Sequence, residues 1–254
     1  MQQHTEQNLR WYSFSLFEPH PELRHGVFTR FGGVSGPQGD ELSLAFNAAE
    51  PTERTLINIR RAAEALRLPS PALSRQNHGD WVLVVRPGDN YRPQGPEEVR
   101  GDYDALVAPE PGVSLMIKVA DCQAVILYHP QSRALGLAHS GWRGSVRNIL
   151  GKTVAEMAAL GADPAEIKAA ISPSLGPCCA EFINYRQELP EKFWEFMNDN
   201  HFDFWAISRR QLTEAGLRAE NIAVAGVCTK CSPEFYSYRR GDAARFGIMA
   251  GVAA

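Results

Sequence analysis

Apolar residues recur along the chain in two rhythms. Short unbroken or alternating runs predict strands: GVFTRF at 26–31, leading into a turn at Gly32-Gly33, and WVLVVR at 81–86. DALVA at 104–108, SLMIKVA at 114–120, AVILYH at 124–129, ALGLAH at 134–139 after a turn at 130–133, residues 167–172 and NIAVAGV at 221–227 continue the series. Runs with so little polar alternation predict strands covered on both faces. The second rhythm is helical. TERTLINIRRAAEALR at 52–67 puts Leu56, Ile59, Ala63 and Leu66 on one face, with Thr52 as the expected N-cap. SVRNILGKTVAEMAAL at 145–160 predicts the longest regular helix, capped by Ser145, with Val146, Ile149, Leu150, Thr153, Val154, Met157 and Leu160 sharing a face. Residues 188–199 and 208–216 also read as helices. PGDNYRPQGPEE at 87–98 reads as a surface loop, and SPEFYSYRRGDAARFG at 232–247 as polar and aromatic. The mixed order of elements predicts one α+β domain over residues 1–254 rather than a regular βαβ winding. No repeat and no composition break marks a linker.

Composition narrows the function. The 254 residues are 44% hydrophobic and 22% charged, which excludes a disordered chain. With 26 basic and 29 acidic residues the net charge is −3, so neither nucleic acid nor an anionic membrane is an expected partner. No run approaches the ~18 apolar residues of a membrane span, and the polar first twenty residues lack a secretory pattern. A cytoplasmic enzyme is the expectation, of an oligomeric state that the sequence does not set. There is no G-x-G-x-x-G after a strand, no Walker loop and no G-x-S-x-G elbow.

Three segments put metal-ligand types at strand ends. Asn77-His78-Gly79 precedes the strand at 81–86, Ala120-Asp121-Cys122 ends the strand at 114–120, and His139-Ser140-Gly141-Trp142-Arg143-Gly144 follows the run at 134–139. One strand-turn-strand passage separates Cys122 from His139, so neighbouring strands bring them side by side. Two imidazoles and a thiolate form a three-ligand set that leaves a fourth zinc position open for a water of lowered pKa. Taken one at a time, each residue reads more simply: a histidine beside glycine as a turn residue, a cysteine after a strand as a small buried hydrophobe. Arg143, at the start of the predicted helix, either grips an anion there or pairs with Asp121. Trp142, Tyr236 and Tyr238 offer flat faces to a base or lie at the core edge. Cys228-x-x-Cys231 suggests a zinc ribbon, but the adjacent Cys178-Cys179 cannot form a normal second knuckle. The expectation is two thiols at a strand end near a site.

In this order the segments resemble the YfiH/DUF152 family, whose members carry the names polyphenol oxidase (laccase domain), purine nucleoside phosphorylase and peptidoglycan editing factor. The matching stretches are TRFGGVS at 29–35, Asn47 in LAFNAAE, QNHGDWV at 76–82, DALVAPEPGVSL at 104–115, VADCQAVILYHP at 119–130, AHSGWRGSV at 138–146, SPSLGPCCAEF at 172–182 and CTKCSPEFYSYRRGDAARFGIMA at 228–250. The resemblance implies an α/β/β/α sandwich of mixed sheets, related to CNF1-like cysteine hydrolases. It also implies metal ligation by His78, Cys122 and His139, with zinc usual and copper known in some members. Asp121 joins these three as a candidate catalytic residue. Arg30, Asn47, Arg60 and Arg143 are the expected contacts to a purine nucleoside and phosphate. Ser140, Ala180, Phe182-Ile183 and ARFG at 244–247 depart from the family pattern and alter the outer pocket, leaving the metal trio intact.

The first functional reading is therefore zinc-assisted phosphorolysis of inosine, guanosine or adenosine, extending to methylthioadenosine, with adenosine deamination as a side activity. The second is copper-dependent phenol oxidation. Against it, four of the seven histidines (His4, His20, His25, His201) lie outside the motifs and His129 sits beside a proline turn, which leaves ligands for one metal site. The third is a cysteine hydrolase with Cys122 as nucleophile and His139 as base, and a cell-wall precursor editing enzyme would use the same site.

Overall fold

The computed structural model describes residues 1–46, 50–89 and 100–253. In chain order the main strands are β1 (Gln2–Glu6), β2 (Leu9–Ser13), β3 (Leu23–Phe28), β4 (Val82–Val84), β5 (Ala105–Ala108), β6 (Ser114–Val119), β7 (Gln123–His129), β8 (Ala134–Ser140), β9 (Lys168–Ile171), β10 (Ile222–Val224) and β11 (Phe246–Val252). The helices are α1 (Thr52–Ala65), α2 (Trp142–Val146), α3 (Ile149–Ala159) and α4 (Phe204–Glu214). A five-stranded antiparallel sheet runs β1-β2-β3-β11-β6. A six-stranded sheet runs β10-β9-β7-β8-β5-β4, parallel at its two edge pairs and antiparallel between.

Side-chain alternation stacks these sheets. On β7, Ala124, Ile126 and Tyr128 enter the core between the sheets, while Val125 and Leu127 face the core under α3 and α4. On β6, Leu115, Ile117 and Val119 enter the inter-sheet core, while Met116 packs with Ile59, Ala62 and Ala63 of α1. The layers are therefore α/β/β/α, as the resemblance implied, with the five-stranded sheet antiparallel and the six-stranded sheet mixed. Both faces of β7 and β8 are covered, which is why their sequences read as unbroken apolar runs. Among the described residues no helix is long and apolar enough to cross a membrane.

Several expectations need correction. Residues 145–160 do not form one helix. Asn148 takes a left-handed conformation (φ 57°, ψ 48°) between α2 and α3, and its side chain accepts a hydrogen bond from the Gly151 N–H. Ser145 lies inside α2, and its hydroxyl bonds that of Ser140 at 3.1 Å. Val146 before the break packs with Phe202, Phe204 and Ile207, and Ile149, Leu150, Val154 and Met157 after it pack under the six-stranded sheet, so helical spacing runs through a break between two clusters. Pro51, not Thr52, is the N-cap of α1, with no side-chain cap bond. Gly32-Gly33 lies within a strand, Phe31–Ser35. The helix expected at 188–199 is a four-residue α-helix at Tyr185–Glu188 followed by a 3-10 helix at Glu191–Phe196. Most of the loop read at 87–98, and Asn47, lie outside the described residues.

His25 in β3 shows how the core constrains titration. Its Nε2 accepts the Phe14 N–H at 2.7 Å, and the rings of Phe14 and Phe17 flank it. Burial holds its pKa down at about 4. Between pH 6.5 and 4 the unfolded chain binds a proton that the native chain refuses, so stability is full above 6.5 and falls as the pH drops towards 4. The loss attributable to His25 is about 3 kcal/mol. Denaturant unfolding at pH 7 and at pH 4 checks this against His25→Asn, which keeps an acceptor without titrating. The variant is expected to lose about 3 kcal/mol less over that interval. Equal losses in the two proteins would refute the assignment.

Candidate active site

The β7–β8 register builds the site. Ala124 lies opposite His139 and Gln123 opposite Ser140. Extended by one step, that register puts Cys122 opposite Gly141, and puts the Cys122 and His139 side chains on one face as diagonal neighbours. His78 arrives from the segment before β4, with a left-handed backbone (φ 61°). The donor atoms of His78, Cys122 and His139 all lie within 4.8 Å of one another. The His78 and His139 ring centroids are 5.0 Å apart. Gly141 permits this closeness, because a Cβ there would sit 2.9 Å from both Cys122 Sγ and His78 Nδ1.

One buried carboxylate organises the trio. His139 Nδ1 donates to Asp104 Oδ1 at 2.7 Å, and the N–H groups of His78 and Gly79 donate to the same carboxylate at 3.0 and 2.6 Å. Because an ionised carboxylate can only accept, Nδ1 carries a proton, and Nε2 is the nitrogen that would turn to a metal ion. Burial raises the Asp104 pKa, but His139 and these N–H groups outweigh it and hold it below the usual carboxylate value. Burial likewise opposes charge on the other two partners. The neighbouring imidazoles nonetheless bring Cys122 down to about 6, and Cys122 and Asp104 lift His139 to about 9. Two imidazoles and a readily ionised thiol, with an orienting carboxylate behind one ring, fit a borderline-soft divalent cation.

The trio lies in a cleft of about 990 Å³. Lys118, Arg143, Arg239 and Arg245 line it, as do the apolar faces of Phe46, Trp142, Phe182 and Tyr238. Arg143 lies over the Trp142 ring at 4.1 Å. It belongs to the five-residue α2 rather than to a long helix. Asp121 also lines the cleft, but it accepts from Thr229 Oγ1 at 2.7 Å and from the Arg239 N–H at 2.6 Å, so it anchors the 228–240 segment instead of pairing with Arg143. Arg30 binds Glu41 at 2.8 Å over the Tyr236 ring, and Arg60 is exposed on α1; neither lines the cleft. Tyr236 is buried with its hydroxyl on Glu41, so of the two tyrosines only Tyr238 reaches the cleft. Phe182 and Ile183, where the chain departs from the family pattern, do line it.

Sequence reasoning missed Asp104 and Lys118. Lys118 is held down at about 8 by burial and donates through Nζ to the Ser74 carbonyl. The only sign of Asp104 was an acidic residue heading an apolar strand. The adjacent Cys178 and Cys179, expected to stand apart from a knuckle, do meet Cys228 and Cys231 across the fold.

Comparisons with known proteins agree with this architecture. The structure of YlmD from Geobacillus stearothermophilus superposes with a TM-score of 0.85 at 27% identity, covering 99% of this chain and 98% of that one. The Bacillus licheniformis hypothetical protein YfiH also gives 0.85, at 24% identity and 97% coverage of both chains, a likeness of fold. A Deinococcus radiodurans protein named purine nucleoside phosphorylase is 33% identical over 246 residues, covering 93% of this chain and 91% of its own. The family description "multi-copper polyphenol oxidoreductase laccase" matches residues 24–254. By that match the chain belongs to the multi-copper polyphenol oxidoreductase laccase family, the grouping to which its YfiH/DUF152-like motifs pointed.

Proposed function

We propose that the chain is a zinc-assisted purine nucleoside phosphorylase of the cytoplasm, with adenosine deamination as a side activity. The observation that carries this reading is one cleft holding the His78–Cys122–His139 donor set, cationic Lys118 and Arg143, and aromatic walls. The name of the Deinococcus radiodurans relative supports it.

In phosphorolysis a phosphate oxygen forms a bond to C1′ of the ribose. The C1′–N9 bond breaks, and the base leaves with that electron pair and takes up the proton that the attacking hydrogen phosphate gives up. Arg143 and Lys118 bind and orient the phosphate, and Trp142, Phe182 and Tyr238 hold the flat base out of water. Asp104 keeps His139 in one tautomer and one orientation. His78, Cys122 and His139 would hold a metal ion, which would supply a Lewis acid in the cleft. Of the seven histidines, only His78 and His139 join a metal-donor cluster among the described residues. That ligand supply favours the single-metal reading over multi-copper oxidation.

Zinc-loaded protein given inosine and phosphate is expected to release hypoxanthine and ribose 1-phosphate, and His139→Ala to fall to background. No hypoxanthine above the His139→Ala control would overturn the proposal. A second reading rests on the order Cys122, His139, Asp104, which is that of a thiol nucleophile, its base and an orienting carboxylate. Under that reading alkylation abolishes turnover and a chelator does not, whereas the metal reading requires loss on chelation.

A further inference from the structure

Among the described residues, one cluster of metal-donor side chains outside the cleft trio is left without a role. Strands β9 and β10 are parallel neighbours, so the segments that follow them leave the sheet at the same end. They stay paired beyond it: the Ser174 N–H donates to the Val227 carbonyl at 3.2 Å, and the Thr229 N–H to the Ser174 carbonyl at 3.0 Å. This pairing carries Cys178-Cys179 to Cys228-x-x-Cys231.

Both cysteine segments are fixed by their own backbones. The Cys179 and Ala180 N–H groups donate to the Gly176 carbonyl at 2.9 and 3.0 Å, and the Ser232 N–H closes the 228–232 turn on the Cys228 carbonyl at 2.9 Å. Arg240 clamps that turn from behind, donating to the carbonyls of Thr229 at 2.9 Å and Ser232 at 2.8 Å. Gly176 lets the segments close up, since a Cβ there would stand 3.0 Å from Cys228 Cβ.

All four sulfurs lie within 4.8 Å of one another, with Cys231 Sγ 3.5 Å from Cys179 Sγ and 3.8 Å from Cys178 Sγ. A disulfide needs about 2.05 Å. A tetrahedron of sulfurs around zinc, with bonds of about 2.3 Å, has edges of about 3.8 Å. The four cysteines are all free thiols. We propose that Cys178, Cys179, Cys228 and Cys231 bind a second zinc ion in a four-thiolate structural centre.

Four protein ligands fill the coordination sphere, so this ion does no chemistry on substrate. It cross-links the wall that bears Leu175, Glu181 and Phe182 to the segment that bears Tyr238 and Arg239. Vicinal cysteines can share the ion because their partners come from a separate segment, which the knuckle spacing rule does not consider.

The test is zinc content of the full chain, expressed without metal supplements and purified under reducing conditions. About two zinc ions per chain are expected in the wild type and about one in Cys228→Ser/Cys231→Ser. Cys122→Ala is expected to keep one ion, and X-ray absorption on that variant to show a single shell of four sulfurs at about 2.3 Å, a readout that survives if the double variant does not fold. Metal lost entirely in Cys122→Ala, or a shell containing nitrogen or oxygen, overturns the proposal. So does a thiol titration of the denatured, unreduced wild type, freed of metal with chelator, that finds fewer than the five thiols of the sequence, because that result means disulfides. Failure of the cleft reading looks different: the double variant then holds no metal at all.

Discussion

Asp104→Asn is expected to weaken metal retention in the cleft 10- to 100-fold while leaving His78, Cys122 and His139 in the chain, the range expected when a carboxylate behind a metal-bound histidine is removed. The side chain is fully buried and accepts from His139 Nδ1 and the N–H groups of His78 and Gly79. An amide offers one accepting oxygen where the carboxylate offers two, and its NH₂ faces a donor whichever way it turns. At least one buried donor loses its partner, and the negative charge that favours the Nδ1–H tautomer is gone. Unfolding stability is expected to drop by about 3 kcal/mol. Chelator competition reads the first effect and urea unfolding the second. Wild-type metal retention in the variant would remove Asp104 from the site.

Gly141→Ala should be nearly as damaging to activity, for a different reason. The Gly141 backbone (φ −81°, ψ 179°) is one that any residue can adopt, so the substitution carries no conformational strain. Its whole cost is the methyl group, placed 2.9 Å from Cys122 Sγ and His78 Nδ1. The ligands must move apart by a large fraction of an ångström, and displacements of that size cost ~100-fold in rate. Phosphorolysis is expected to fall by about that factor with the melting temperature almost unchanged. If activity and cleft metal both survive, the trio is not the reacting centre.

The sequence carries some of these features openly and hides others. β6, β7 and β8 were placed within a residue of their ends, because both faces of each are covered and the apolar run stops where cover stops. Cys122 and His139 were legible for the same reason, since a known pair of antiparallel strands fixes which ends meet. Asp104 had no such mark: a single carboxylate before an apolar run has no spacing, and its partners come from two other strand ends. β11 was overlooked because FGIMAGV carries two glycines. Those glycines make room for side chains from elsewhere: a Cβ at Gly247 would stand 2.7 Å from Leu44, and one at Gly251 2.7 Å from Leu68. The break at Asn148 was invisible because Val146 before it and Ile149 after it keep helical spacing although they pack in different clusters. The four-cysteine cluster escaped a rule about local spacing because its members meet only through the parallel pairing of β9 and β10.

The position of β11 has a bearing on how the chain acquires its shape. This strand lies between β3 and β6, bonded to both, yet it is formed by residues 246–252. The two strands it joins come off the ribosome long before it. Until it arrives, each presents an unpaired edge and the apolar face meant for the inter-sheet core. The closing step brings together segments separated by most of the sequence, a long loop to close and a slow one. The antiparallel strands β5, β7, β8 and β9 of the six-stranded sheet are complete by residue 171 and can pair while synthesis continues. The five-stranded sheet waits for the last strand, and that interval is when the nascent chain is most open to aggregation.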